Sequence, residues 1–221
     1  MTDINTEMQR PSDELLRQFE GMAAALLHEA LGKRGALTND FKPTSPGATC
    51  VGAALTVKGY PGDNLMLHKA ISIARPGDLL VATVDGFTEA GLWGEIASAA
   101  ALHRGIRGLV TDGSVRDVVA IAELGFPVFS RGISIKGTTK RQAGRINVPI
   151  TLGGVLVNPG DIVVGDPDGV VVVPLSEAEA VLEKAREIER KEAKILRELR
   201  SGKLTLDLLN LRAALSQLGL E

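Results

Sequence analysis

The chain has 221 residues and a formal net charge of −2 at pH 7, from 25 basic and 27 acidic side chains. This near balance leaves no electrostatic footprint for nucleic acid or for an anionic membrane surface, so we expect neither as a partner. The hydrophobic content of 44% is enough for one substantial core, which favours one globular domain with appendages over two full domains.

The chain contains a single cysteine, Cys50. One cysteine excludes an internal disulfide and every cysteine-based zinc pattern, so a bound metal ion would need oxygen or imidazole ligands. The first dozen residues are polar and charged, and no uncharged run of about 18 apolar residues occurs. We therefore expect a cytoplasmic protein without a membrane span.

The spacing of apolar residues predicts alternating helices and strands over the first 130 residues. In chain order these are a helix at 13–31 with Ser12 as its N-cap, a strand at 48–57, a helix at 64–74, a strand at 79–84, a helix at 95–103, a strand at 108–111, a helix at 115–124 and a strand at 127–129. The strand at 79–84 is almost entirely apolar, which is typical of a strand covered on both faces. The succession predicts a βαβ core.

The second half of the chain has a different pattern. Short extended pieces at 155–157, 162–165 and 170–173 alternate with turns rich in Gly, Pro and Asp, which predicts a β-rich region. A long charged helix is expected at 176–200, followed by a Leu-rich stretch at 204–220 that is too apolar for a tail in water. We therefore predict an α/β domain at 1–175 and a C-terminal helix and tail at 176–221 that packs on a neighbouring subunit.

The apolar seam of the long helix contains one acidic residue, Glu192, where another apolar residue is expected. An acid in such a seam can reach solvent, pair with a cation across an interface, or reach a metal site of a neighbouring subunit. The residues alone leave these three possibilities open.

The residues that carry chemistry lie in two short motifs, 94–97 and 110–117. Gly94 precedes a predicted helix, so the amides of the next three residues lack carbonyl partners within that helix and can hold a carboxylate. Arg116 and Asp117 follow a buried strand, where ligands of open α/β sheets usually bind. The guanidinium matches a carboxylate bidentately, and acidic oxygens suit a hard divalent cation.

Each of these residues also has a simpler explanation when it is considered alone. Arg116 can form a surface ion pair with Asp117 or Glu123, and Asp117 can be a charge that favours helix entry. Glu95 can be an acid of a first helical turn, where the helix dipole favours negative charge.

The combination of Glu95, twenty intervening residues and Arg116-Asp117 resembles the signature of the class II pyruvate aldolases, namely the 4-hydroxy-4-methyl-2-oxoglutarate/4-carboxy-4-hydroxy-2-oxoadipate aldolases. The resemblance extends along most of the chain through 61–64, 76–78, 134–138, 157–161, 168–170 and 202–207. The superfamily also resembles the regulators of ribonuclease E activity, which share its fold and typically lack the Arg-Asp pair.

The resemblance implies a layered α/β/α-type domain of the swivelling β/β/α kind, with a long C-terminal helix and an oligomerisation tail. It implies a Mg²⁺ or Mn²⁺ ion bound directly by Asp117, with Glu95 holding metal-bound waters and Glu192 reaching the site from the neighbouring subunit. Arg116 would bind the keto acid and act in catalysis with Glu95 and Asp117. The backbone of Gly94, Glu95, Ile96 and Ala97 would hold the pyruvate carboxylate.

The activity implied is cleavage of a 4-hydroxy-2-oxo acid to pyruvate and a second oxo acid through a pyruvate enolate, with oxaloacetate decarboxylation as a side activity. The implied assembly is a homotrimer or homohexamer. The alternative function is a non-catalytic, protein-binding regulator built on the same scaffold.

Overall fold

The computed structural model describes residues 3–220. The elements along the chain are α1 (Asp13–Phe19), α2 (Ala24–Ala30), β1 (Lys42–Pro43), β2 (Cys50–Lys58), α3 (Leu65–Ile73), β3 (Asp78–Thr83), β4 (Gly91–Trp93), α4 (Glu95–His103), β5 (Leu109–Val115), α5 (Val118–Leu124), β6 (Val128–Ile133), β7 (Arg145–Ile146), β8 (Ile150–Leu152), β9 (Val155–Val157), β10 (Ile162–Gly165), β11 (Val170–Val173), α6 (Ala178–Arg200), α7 (Thr205–Leu208) and α8 (Arg212–Gln217). A short 3₁₀ turn, Leu175–Glu177, leads into α6.

Within the described residues, one mixed sheet has the strand order β1-β6-β5-β3-β2-β10-β11, and β4 and β7 add to β5 and β2 respectively. The strands β2, β3, β5 and β6 run parallel to one another, whereas β1, β10 and β11 are antiparallel to their neighbours. The parallel strands therefore end at one common edge of the sheet, and the segments that follow them meet there.

Each face of this sheet is covered by a different layer. Along β3, Leu80 and Ala82 pack against α3, α4 and α5, while Leu79 and Val81 pack against the hairpin of β8 and β9. Every residue of β3 is buried, as its apolar run predicted. The small β layer, the main sheet and the helices confirm the predicted layered α/β fold, and α6 confirms the long C-terminal helix.

The N-terminal helical region differs from its prediction. Ser12 does cap a helix, because its Oγ accepts a hydrogen bond from the amide of Leu15 at 3.1 Å. The single helix expected at 13–31 is wrong, since the chain forms α1 and α2 with a turn between them in which Gly21 has a φ of +82°. This positive φ cannot be accommodated in a continuous right-handed helix.

The region after residue 108 also differs from its prediction. The strand expected at 108–111 continues to Val115, and the helix expected from residue 115 begins at Val118. The extension follows from β4, which pairs Gly91 with Ser114 and Trp93 with Val115. The backbone groups of the second half of β5 therefore have ladder partners that the local pattern does not reveal.

Asp112 consequently lies inside β5 and not beyond its end. Its buried carboxylate accepts hydrogen bonds from the Thr83 hydroxyl at 2.7 Å, the Val84 amide at 2.7 Å and the Gly86 amide at 3.0 Å. These bonds hold the turn that follows β3, so the carboxylate of Asp112 serves the fold at that turn.

In each of three Pro-Gly-Asp turns, the buried Asp carboxylate accepts hydrogen bonds from a segment that is distant in sequence. Asp78 accepts two hydrogen bonds from the Arg10 guanidinium, at 2.7 and 3.0 Å. Asp161 accepts from the amide of Leu175 at 3.1 Å, and Asp63 accepts from Thr139 at 2.7 Å. The three turns share a sequence but fasten different parts of the chain.

The C-terminal region divides into a packed part and an exposed part. Ala178, Val181, Leu182 and Ala185 of α6 are buried in a cluster with residues of α1, α2, β10 and β11. Residues 189–220, which we call the arm, leave several large apolar side chains exposed, namely Leu196, Leu204, Leu209, Leu211, Leu218 and Leu220. The division into domains at 175/176 stays a prediction.

Two further observations concern membrane-spanning helices and the single cysteine. No helix among the described residues is long and apolar enough to cross a bilayer. The Cys50 side chain is buried at the start of β2, and this burial raises the pKa of its thiol to about 12.

Candidate active site

The pairing of β4 with β5 brings the two predicted motifs together. The amide of Arg116 donates to the carbonyl of Trp93 at 2.8 Å, so the residue after β5 lies beside the end of β4. Gly94 follows immediately, and a Cβ at this position would overlap Oδ2 of Asp117 and crowd the Arg116 side chain. The absence of a side chain at Gly94 therefore allows this close approach.

Asp117 has a left-handed backbone conformation, with φ +56° and ψ +35°. Its carbonyl accepts the amide of Ile121 at 2.9 Å and so begins α5. Asp is among the residues that tolerate this conformation, which is uncommon and concentrates at functional positions. The turn directs the carboxylate back toward the start of α4.

The Asp117 carboxylate makes few contacts with its own chain. Oδ2 accepts the amide of Glu95 at 3.2 Å and lies 3.5 Å from Nε of Arg116. The Arg116 and Asp117 side chains remain 44% and 42% exposed. Most of the acceptor capacity of the carboxylate is thus free for a ligand.

A cavity of about 240 Å³ lies beside this pair. It is lined by β4 itself and by residues that follow the carboxyl ends of β2, β4, β5 and β6, namely Asn64, His68, Gly91, Leu92, Trp93, Gly94, Ile96, Ala97, Arg116, Asp117, Gly137, Thr138 and Lys140. Four separate segments therefore converge on one site, at the edge of the sheet where ligands of α/β folds bind.

The start of α4 faces this cavity, and its own N-cap residue does not cap it. That residue is Gly94, which has no side chain to accept the first-turn amides. The amide of Glu95 is used by Asp117, and Ile96 and Ala97 line the cavity. First-turn amides without carbonyl partners, together with the helix dipole, suit the carboxylate of a small acid.

Buried contacts keep the start of α4 in place. Nε1 of Trp93 donates to the Ser98 hydroxyl at 2.7 Å, and that hydroxyl donates to the Gly94 carbonyl at 3.1 Å. The indole also stacks on Phe126, with ring centroids 5.8 Å apart. Trp93 therefore combines a structural role with its position in the cavity wall.

Positive groups outnumber negative ones around the cavity. Arg116 and Lys140 are cations, and Asp117 is the one carboxylate among the residues that line it. Burial and the nearby charge of Lys140 lower the pKa of His68, so this imidazole is neutral at pH 7. The charges suit an anionic ligand together with a cation at Asp117.

The donor set limits how a metal ion could be held. Among residues 3–220, no group of three or more His, Cys, Asp or Glu side chains is placed to hold a metal ion. Mg²⁺ is commonly bound through one or two carboxylates while it keeps several waters. A largely free carboxylate such as that of Asp117 fits this mode of binding.

The predicted site residues do not all lie in the cavity. Gly94, Ile96, Ala97, Arg116 and Asp117 line it together. The backbone of Glu95 belongs to the site through its bond to Asp117, but its side chain is exposed and outside the lining.

Glu192 lies on an exposed stretch of α6 in the arm, outside the cavity lining of its own chain. A role at the metal site would therefore require a neighbouring subunit. The roles of all these residues stay predictions.

One wall of the cavity was missed by the sequence analysis. The sequence analysis assigned no role in the site to Asn64, His68, Thr138 or Lys140. Asn64 and His68 follow the Pro-Gly-Asp turn of α3, and Lys140 lies in a Gly-Thr-rich loop. The resemblance in 61–64 was the available signal for this wall.

A larger cavity, of about 700 Å³, lies at the opposite edge of the sheet. Its lining includes Thr49, Cys50, Arg107 and Pro127, which precede or begin the parallel strands. The Cys50 thiol in this lining is protonated at neutral pH, because burial raises its pKa to about 12. Arg116, Asp117 and the first turn of α4 meet at the other cavity, so we assign the candidate site to the carboxyl edge of the sheet.

Comparison with known proteins identifies the family of this chain. The sequence model of the RraA-like family, described as Aldolase/RraA, matches residues 19–172. A protein of Halalkalibacterium halodurans named "Putative 4-hydroxy-4-methyl-2-oxoglutarate aldolase" is 39% identical over 179 residues, which cover 81% of this chain and 85% of that protein.

Solved structures share the fold over most of the chain. An uncharacterized protein from Pseudomonas syringae pv. tomato superposes with a TM-score of 0.80 at 31% identity, covering 93% of this chain and 100% of that one. Streptomyces coelicolor RraAS2, described as an unusual member of the RNase ES inhibitor RraA protein family, superposes with a TM-score of 0.76 at 30% identity, covering 85% of this chain and 98% of that one.

Proposed function

The chain belongs to the RraA-like (Aldolase/RraA) family, and we propose that it is a divalent-metal-dependent aldolase. The proposed substrate is a 4-hydroxy-2-oxo acid such as 4-hydroxy-4-methyl-2-oxoglutarate or 4-carboxy-4-hydroxy-2-oxoadipate, which is cleaved to pyruvate and a second oxo acid. The observation that carries the proposal is the convergence of Arg116, Asp117 and the first turn of α4, with Ile96 and Ala97, on one cavity.

The reaction is a retro-aldol cleavage. The C3–C4 bond breaks, the 4-hydroxyl loses its proton and becomes the carbonyl of the second oxo acid. The bonding pair moves to the pyruvyl fragment as an enolate, with charge on the C2 oxygen, and a proton added at C3 completes pyruvate. Catalysis therefore requires positive charge that is already positioned at the C2 oxygen.

The residues of this chain divide the work. The first-turn amides of Ile96 and Ala97 bind the carboxylate of the oxo acid. Arg116 orients the oxo acid and places a guanidinium where negative charge develops. Trp93, through Ser98 and the Gly94 carbonyl, keeps the amides in position.

Asp117 is the proposed direct ligand of a Mg²⁺ or Mn²⁺ ion, with Glu95 contacting metal-bound waters and Glu192 approaching from a neighbouring subunit. When bound, such a cation supplies a Lewis acid for the charge on the C2 oxygen. The free acceptor capacity of Asp117 supports this assignment.

Two corollaries belong to the same proposal. Decarboxylation of oxaloacetate yields the same pyruvate enolate, so we expect it as a side activity of this site. We propose a homotrimer or homohexamer, and the exposed leucines of the arm support contact with a neighbouring subunit, because exposed apolar surface is typical of such contacts. The proposed location is the cytoplasm.

The test is pyruvate release from oxaloacetate by the purified protein with Mg²⁺, before and after chelation of the metal. We expect chelation to abolish turnover, and Arg116→Ala and Asp117→Ala each to reduce kcat/KM at least about 100-fold. Arg131→Ala and Asp40→Ala are the matched controls, because they remove an exposed Arg–Asp pair outside the cavity lining. Unchanged turnover in Asp117→Ala would contradict the proposal.

The second candidate function is a non-catalytic regulator, which the similarity to RraAS2 favours. It predicts a folded protein that releases no pyruvate with Mg²⁺ and that binds and inhibits an RNase E-type ribonuclease. Inhibition assays with the wild type and Asp117→Ala separate the two, because a regulatory surface does not require the Arg116–Asp117 pair.

A further inference from the structure

Asp63 lies directly behind one wall of the candidate site. The residues 137–142, which we call the wall segment, contribute Gly137, Thr138 and Lys140 to the cavity lining. The start of α3 contributes Asn64 and His68 to the same cavity. The Asp63 side chain is only 3% exposed and is not itself part of the lining.

The Asp63 carboxylate joins the two segments of this wall. Oδ1 accepts the amide of Leu65 at 2.9 Å and so caps α3, whose own N-cap residue provides no side-chain bond. Oδ2 accepts the Thr139 hydroxyl at 2.7 Å and the amides of Arg141 at 2.6 Å and Gln142 at 3.2 Å. One carboxylate therefore satisfies four donors from two elements that are far apart in the chain.

Backbone bonds continue the same junction. The Thr139 amide donates to the Gly62 carbonyl at 2.9 Å, and the Asn64 amide donates to the Thr139 carbonyl at 3.1 Å. Thr139 is thus held on the Asp63 side, while its neighbours Thr138 and Lys140 line the cavity. The Asp63 carboxylate and these backbone bonds together fix the wall segment against the start of α3.

The role inferred here for Asp63 concerns binding of the oxo acid substrate, so it rests on the proposed function. We propose that Asp63 is a positioning residue of the candidate site, which fixes the wall segment against α3 and thereby sets how tightly the cavity holds an oxo acid. Arg116, Asp117 and the start of α4 are positioned by the pairing of β4 with β5, and none of the four donors to the Asp63 carboxylate belongs to them. The junction contacts β4 through the Asn64 side chain, which donates to the Leu92 carbonyl at 2.9 Å. Loss of the clamp therefore weakens binding of the ground state and the transition state alike.

The side-chain chemistry defines a suitable variant. In Asp63→Asn the side chain keeps its shape but has one acceptor oxygen and an NH₂ donor. At least one of the amides of Leu65, Arg141 and Gln142 then faces a donor, and the junction opens on that side. Thr139→Val removes one donor from the wall segment, and Thr139→Ser restores the hydroxyl.

The chain contains a matched control in Asp161, the third residue of another Pro-Gly-Asp turn. Its carboxylate is 4% exposed and accepts the amides of Asn158 at 2.8 Å and Leu175 at 3.1 Å, outside the cavity lining. Asp161→Asn therefore removes a comparable buried carboxylate without disturbing the wall segment.

The experiment measures KM and kcat for oxaloacetate with saturating Mg²⁺ in the wild type and the four variants. We expect Asp63→Asn to raise KM about 10-fold or more with kcat changed by less than about 3-fold. Thr139→Val follows in the same direction with a smaller change, and Thr139→Ser resembles the wild type. A merely structural role lowers the fraction of active protein, which reduces the apparent kcat and leaves KM unchanged.

Hydrogen exchange provides a second readout that does not depend on turnover. We expect the amides of 139–142 to exchange faster in Asp63→Asn while those of β3 stay as protected as in the wild type. Asp161→Asn should leave 139–142 unchanged.

The outcomes separate the two proposals. If the wild type releases no pyruvate with Mg²⁺, the proposed function fails and the inference about Asp63 fails with it. If the wild type is active and Asp63→Asn has the KM of Asp161→Asn, or if exchange in 139–142 is unchanged, only the inference about Asp63 is wrong.

Discussion

Residues 3–188, which we call the body, and the arm contain similar apolar and charged side chains but differ in how far they bury them. In the body, leucines such as Leu55 and Leu79 are fully buried between layers, whereas in the arm Leu218 and Leu220 are 72% and 68% exposed. The matched family model ends at residue 172, before α6 begins. The body is stabilised within one chain, and the arm forms helices whose apolar faces this chain does not cover.

The same contrast applies to charged pairs. Asp78 in the body is fully buried against Arg10, whose own side chain is 16% exposed. Arg212 and Asp207 in the arm form a pair with both side chains about half exposed. A buried pair and an exposed pair with similar chemistry contribute very differently to folding, because only the first loses water on folding.

We expect the largest loss of stability when the buried Arg10–Asp78 ion pair is broken. Arg10→Ala leaves the Asp78 carboxylate buried without its main partner, so we expect a loss of about 3–5 kcal/mol in the free energy of unfolding. Arg212→Ala in the arm should lower the free energy of unfolding far less, because the Arg212–Asp207 pair is exposed. Denaturant unfolding of both variants measures the difference, and equal losses would remove the distinction between body and arm.

A substitution of buried leucine tests the same distinction for packing. Leu55→Ala should cost about 2–5 kcal/mol, because it leaves a cavity between layers of the body. Leu218→Ala should remain within about 0.5 kcal/mol in dilute protein. A larger cost at Leu218 that grows with protein concentration would indicate that assembly covers the arm.

Glu192 sharpens the comparison, because it would give the arm a role at a site in the body. If Glu192 reaches the metal site of a neighbouring subunit, Glu192→Gln should lower kcat/KM about 10-fold or more without changing stability. Glu189→Gln, on an exposed position of the same helix, is the control. Equal activity of the two variants would leave Glu192 as a solvated charge.

We expect the smallest effect in the pH dependence of the stability that the Asp63 carboxylate contributes. Burial raises the pKa of Asp63, but the hydrogen bonds from Thr139, Arg141, Leu65 and Gln142 outweigh it and hold the pKa below its ordinary value. A lowered pKa in the folded state contributes stability above the ordinary carboxyl pKa of about 3.9, and this contribution is lost as the pH falls through the folded value.

The stability gap between the wild type and Asp63→Asn should therefore be constant from neutral pH to about pH 4 and close below it. Denaturant unfolding across this pH range measures the gap. A gap that persists at pH 2 would show that Asp63 acts through shape and not through charge.

Much of the body was predictable because burial leaves few choices to its segments. The bounds of β3 and α4 were predicted to within a residue or two. A short, continuous apolar run is typical of a strand covered on both faces, and an Ala-rich run with helical spacing is typical of a helix. The split at Gly21 and the extension of β5 were missed. The first depends on one positive φ, and the second on a three-residue strand whose pairing is not local.

The candidate site was predictable to a similar degree. Arg116 and Asp117 come shortly after a strand whose first part was recognisable, and Gly94 to Ala97 begin a recognisable helix, so sequence order alone places them at one edge. The opposite wall depends on the Asp63 carboxylate, which joins residues about 76 positions apart. No periodicity within a short window can indicate a contact of that separation.

The protonated and enclosed state of Cys50 has a practical consequence for studying the arm. A thiol that is 5% exposed and carries almost no thiolate near neutral pH reacts slowly with maleimide and methanethiosulfonate reagents. A cysteine introduced on the arm can therefore be labelled selectively while the native one is kept. Spin-label distances between copies of the chain would then report directly where each arm lies.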